Sequence, residues 1–150
     1  MRFLSGVCNL FGSRSVSFHM DQAKPQLLSV YNADGGIFNM VADGVHKVVS
    51  PETYPCSLCA VSYGLVSMHG AWRKYLKSLQ HKVIFHHKDD FAQVYPGHNV
   101  ELPAILVKEH GPEPEVLIDK DELDELADVN ELVALTEKRL ADREKQTLAA

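Results

Sequence analysis

The chain is 150 residues long, 45% hydrophobic and 23% charged, with a formal net charge of −5, a balance that suits one globular domain with a substantial core. The acidic excess argues against a general nucleic-acid or anionic-membrane surface, and no apolar run approaches the roughly 20 residues of a transmembrane helix. Three cysteines, one of them alone near the N-terminus, do not make the disulfide framework of a small secreted domain and point to a reducing cytoplasm.

Residues 1–24 differ from the rest. Arg2 and Arg14 are their only charges before Asp21, and serines are scattered among Phe3, Leu4, Val7, Leu10 and Phe11. A signal peptide needs a longer apolar centre and a clear small-residue cleavage site. The segment reads as a flexible extension, with Met20 as an alternative start, and is expected to contribute little to stability.

From Pro25 the chain becomes regular. Gln26–Asn32 is a short apolar run ended by Asp34-Gly35-Gly36, which predicts a buried strand entering a turn. Ile37, Val41, Val45 and Val48 recur at helical spacing and predict a helix that stops before Pro51, with His46 on it as a surface or packing residue. A helical tract is expected from Leu58 to about Leu79, interrupted near Gly64 or at His69-Gly70. Lys82–His87 reads as a central strand, and Asp89 and Asp90 can cap a short helix through about Tyr95.

Leu102-Pro103 then places proline at a strand entry, which a sheet tolerates. Gly111-Pro112-Glu113-Pro114 predicts a turn, and Glu115–Ile118 the returning strand of a hairpin. Asp119 and Glu122 have capping-box spacing. A last helix is expected from about Asn130, with Leu132, Val133, Leu135 and Leu140 inward and a tail fraying from Glu144.

The chemistry-bearing stretch is Tyr54-Pro55-Cys56-Ser57-Leu58-Cys59. Two thiols three positions apart share one face if a helix starts between them. Pro55 and Ser57 suit such a start. A thiol at a helix N-terminus meets unpaired N–H groups and the positive end of the helix dipole, which favour the thiolate. The spacing supports disulfide chemistry, half of a metal site, or two small buried hydrophobes. A metal reading would make zinc the ion, with Cys56 and Cys59 joined by His86, His87 or His46. A protonated His86 or His87 near the pair would favour the thiolate further.

The element order, with Cys-x-x-Cys at a helix start and Leu-Pro before a hairpin, resembles the thioredoxin fold over roughly residues 26–145. The fold it implies is α/β, a central mixed sheet flanked by helices, in one domain spanning 25–150. The resemblance implies that Cys56 attacks, that Cys59 resolves, and that Pro103 is a cis-proline facing the two sulfurs. It also implies a protein or small-molecule disulfide as partner and no cofactor. Residues 36–54 form an insertion, expected to be helical, before the cysteines, and Tyr54-Pro55 replaces the tryptophan that usually precedes the first one.

At finer grain, Tyr-Pro-Cys-Ser-Leu-Cys with Ser-Tyr-Gly and the later His-His-Lys-Asp-Asp-Phe resembles a family of small uncharacterised bacterial proteins. Some of its members carry a GTPase label, but this chain lacks the Gly-x-x-x-x-Gly-Lys-Ser/Thr loop that cradles phosphates. A partner-binding thioredoxin-like domain without catalysis is a further alternative, since fold does not fix function. In the exchange reading Cys56 is expected to face solvent as the more reactive thiol, with Cys59 protected against the sheet.

Overall fold

A computed structural model describes residues 24–33, 56–64, 67–109 and 111–149. The expected helix over 37–50 with His46, the N-terminal extension to residue 23 and Cys8 lie outside the described residues. The described elements alternate as expected of an α/β protein. They are β1 (Gln26–Tyr31), α1 (Ser57–Ser62), α2 (Gly70–Ser78), β2 (Lys82–His87), α3 (Lys88–Val94), β3 (Ala104–Lys108), β4 (Glu115–Ile118), α4 (Lys120–Asp124) and α5 (Val129–Ala149).

The strands form one open mixed sheet in the order β2-β1-β3-β4. β1 and β2 are parallel, with Leu27 opposite Val83 and Tyr31 opposite His87. β1 and β3 are antiparallel, with Val30 opposite Ala104, and β3 and β4 close the predicted hairpin. β1 and β3 are buried almost throughout, because layers cover both of their faces. Among the described strands β2 lies at an edge, where its apolar run suggested a central strand. Lys82 and Phe85 are accordingly exposed, Phe85 to 41%.

Alternation along the central strands divides the core in two. Leu27, Tyr31, Ile105, Val107 and Ile118 face a layer with Leu58 of α1, Trp72 of α2, Leu123 of α4 and Leu132 of α5. Leu28, Val30, Ala104 and Leu106 face Phe91 of α3, with Tyr95, Val100 and Leu102. The helical tract after the cysteines breaks at both expected points. Tyr63 is extended (φ −120°, ψ 137°) and bridges to Met68, and the chain re-enters helix at Gly70.

The caps follow the sequence signals. Asp119 accepts from the Glu122 N–H at 2.9 Å and Glu122 returns the bond. Asp128 accepts from Asn130 and Glu131 N–H groups at the start of α5. Leu132, Thr136 and Leu140 are the buried residues of α5, with Val133 and Leu135 packed partly against them. The helix does not stop at Glu144: it continues to Ala149, with its final turns exposed. The Leu102-Pro103 peptide is cis, as expected. None of the described helices is long and apolar enough to cross a membrane.

Candidate dithiol site

Cys56 is the N-cap of α1, with extended backbone (φ −138°, ψ 93°), and its Sγ accepts the Cys59 N–H at 3.3 Å. The helix begins there because the Cys56 carbonyl accepts from Ala60 N–H at 3.1 Å while the sulfur takes a donor that the helix leaves unpaired. One turn on, the Cys59 thiol donates to Cys56 Sγ, with the sulfurs 2.6 Å apart. A six-residue helix is too short to be stable alone. Its geometry is set by packing, with Leu58 fully buried and Val61 nearly so.

Burial corrects one expectation. Cys59 is protected as expected, but Cys56 does not face solvent: both residues are 1% exposed. Leu27, Tyr31, Leu123 and Leu132 belong to the same core cluster as the two cysteines.

Tyr31 ends β1, is 1% exposed, and sets its ring edge-on to Tyr63 at a centroid distance of 6.1 Å. Burial pushes the Tyr31 phenol well above its ordinary range. Tyr63 and the two cysteines add to the rise and the Ser62 hydroxyl counters it. Tyr63 is raised too, again mainly by burial, and its contact with Tyr31 opposes that. Ser62 Oγ donates to the Leu58 carbonyl at 2.5 Å. At the helix start, the Ser57 hydroxyl beside Asp124, with Lys120 as second partner, holds the Asp124 carboxyl below its usual value. Lys120 Nζ lies 2.9 Å from Asp124 Oδ2.

The two histidines part company. His86 lies opposite Val30 and turns to the α3 face, packing edge-on against Phe91 and Tyr95 at 5.8 and 6.3 Å. Its Nδ1 is 3.1 Å from Asp90 Oδ2, whose other oxygen accepts the His87 N–H and closes the capping box of α3. His86 is therefore on the sheet face away from the cysteines. His87 shares the cysteine face with Tyr31, at 6.4 Å between ring centroids. Pro103 is buried, and continuing the β1–β3 register by one residue sets it opposite Tyr31.

The zinc set of Cys56 and Cys59 with His86 does not assemble across the sheet. Among the described residues, the three-residue group with metal-ligand spacing is His87, Asp89 and Asp90, which excludes both cysteines. Tyr31, Ser62, Tyr63 and Asp124 were not singled out as site residues from the sequence. The available signal was parity: Tyr31 is two steps past Ser29 and four past Leu27 on the strand face that α1 covers. Compared with protein-family models, with curated proteins and with solved structures, the chain matches none of them.

Proposed function

We propose that the protein is a thioredoxin-like thiol–disulfide exchange protein working through Cys56 and Cys59. The observation that carries this reading is the placement of Cys56 Sγ at the α1 N-cap, 2.6 Å from Cys59 Sγ and accepting the Cys59 N–H. Those donors favour the thiolate of Cys56 over that of Cys59. The strand order β2-β1-β3-β4, with β1 and β2 parallel and β3 and β4 antiparallel, supports the thioredoxin-like part. So does Pro103 at the entry of β3.

In the reaction, the Cys56 thiolate attacks one sulfur of a partner disulfide. A Cys56–partner disulfide forms, and the other partner sulfur leaves as a thiolate that takes up a proton. Cys59 loses its proton and attacks Cys56 Sγ, closing the Cys56–Cys59 disulfide and releasing the second partner thiol. Two electrons pass from the dithiol to the partner. With both cysteines 1% exposed, a macromolecular disulfide reaches their sulfurs only when the packing around α1 loosens.

The test is equilibration of the full chain in glutathione buffers of stepped ratio, followed by acid quench, alkylation and peptide mass spectrometry. The expected result is a two-electron transition between dithiol and Cys56–Cys59 disulfide. A pair that stays in one state across the whole range would overturn the exchange reading. Elemental analysis of the same preparation, purified without chelator, decides the zinc alternative.

A further inference from the structure

β1 and β2 begin side by side at one end of the sheet, and the register decides what meets there. Gln26 lies opposite Lys82 on one side and Lys108 on the other. Residues paired across neighbouring strands share a face. This row belongs to the face of Leu28, Ile84 and Leu106, which α3 covers, and Lys108 Nζ stands 5.2 Å over the Tyr95 ring. Two strand spacings set the backbones of the two lysines about 10 Å apart. The Lys82 N–H donates to the Pro25 carbonyl at 2.8 Å, which brings Lys24 alongside the start of β2.

Beside this row opens a pocket of about 500 Å³ lined by Lys24, Gln26, Leu79, Gln80, His81 and Lys82, a size common for small-molecule sites. These residues offer two ammonium groups, an imidazole and two amides, and no carboxylate is among them, in a chain whose net charge is −5. His81 Nδ1 is buried with no hydrogen-bond partner among the described residues, which leaves a ring nitrogen for a ligand. The acids of the adjoining β3–β4 hairpin are engaged with other cations or rings. Arg143 holds Glu109 and Glu115, and Glu113 lies 3.5 Å from His98 Nδ1. The carbonyl end of α2 at Leu79 disfavours an anion, and Lys77 in the last turn offsets it.

We propose that this pocket binds a small molecule bearing more than one phosphate group, its charge shared among Lys24, Lys82 and, across the row, Lys108. Lysine acts as a point charge on phosphate, and the Gln26 and Gln80 amides supply neutral donors for the remaining oxygens. Cations spread over about 10 Å suit a ligand with more than one anionic centre. The site is separate from the dithiol. Tyr31, in the core cluster of the cysteines, is at the other end of β1 from Gln26, roughly 16 Å of strand away. The proposal neither needs nor supports the exchange reading.

The test is titration of the full chain, isotopically labelled for amide nuclear magnetic resonance, with pyrophosphate at constant ionic strength. The expected result is saturable shifts centred on Gln26, His81 and Lys82, with sulfate and citrate binding more weakly. Lys24→Gln and Lys82→Gln, both at exposed positions, should each weaken pyrophosphate by about tenfold, the loss expected of one charged hydrogen bond. Lys74→Gln, on α2 outside this pocket, should leave binding unchanged. Equal weakening by Lys74→Gln would reduce the effect to overall charge and overturn the proposal. So would shifts spread over the whole surface, sulfate or citrate binding as tightly as pyrophosphate, or no saturation at millimolar pyrophosphate. The shift map uses wild-type protein, so it decides the matter even if a variant fails to fold.

Discussion

Truncating Leu58 to alanine tests whether packing, rather than helix propensity, holds the dithiol geometry. α1 has six residues and no acidic residue in its first turn, so it has almost no stability of its own. Leu58 is fully buried between the two cysteines in sequence. Leu58→Ala removes about three carbons, worth about 2.4 kcal/mol at about 0.8 kcal/mol per methylene. A partly collapsed cavity brings the cost to about 3 kcal/mol, within the span of about 2–5 kcal/mol for such changes. At a urea slope of about 2 kcal/mol/M the midpoint should fall by about 1.5 M. The melting temperature should drop by roughly 10 °C. Urea unfolding followed by far-ultraviolet circular dichroism measures the first, and the labelling rate of Cys59 in the native state should rise in parallel. A loss below about 1 kcal/mol with unchanged Cys59 labelling would refute the reasoning, because α1 would then be held by something other than this contact.

Other outcomes follow from the same geometry. Cys56→Ser should abolish exchange and Cys59→Ser should accumulate mixed disulfides visible on non-reducing gels; exchange by the Cys56 variant would reverse the two roles. His86→Gln should leave the thiol midpoint unmoved while costing about 1 kcal/mol through the Asp90 contact, and a shifted midpoint would place that ring on the cysteine side. Asp124, whose folded carboxyl is lowered by Ser57 and Lys120, contributes stability above the ordinary carboxylate range that is lost as pH falls through its lower folded value. Its side chain is 44% exposed, so the contribution is below about 1 kcal/mol. Asp124→Asn should slightly flatten the acid limb of a stability–pH curve, and a steeper limb would contradict the linkage.

The sequence by itself determined what depends on neighbours along the chain. The apolar run Leu27-Leu28-Ser29-Val30-Tyr31 and that of β3 required strands covered on both faces. Asp119 with Glu122 stated where α4 starts, and Pro103 stated where β3 begins. Cys-x-x-Cys with a preceding proline located the start of α1, because a cap is a contact between residues three apart. Period-two alternation also required His86 and His87 to point to opposite faces, so that at most one of them shares a face with the cysteines.

Which histidine that is, only the tertiary structure decided. It depends on the register of β2 against β1 and on which sheet face α1 covers, and neither is encoded in the few residues around Lys82–His87. The place of β2 at the edge of the described strands was hidden for the same reason: an apolar run looks alike whether one strand or two pair with it. Burial of Cys56 and the meeting of Tyr31 with Tyr63 arise from segments that come together only when α1 docks on the sheet. Their energies come from desolvation, a property of the packed assembly that no local spacing carries.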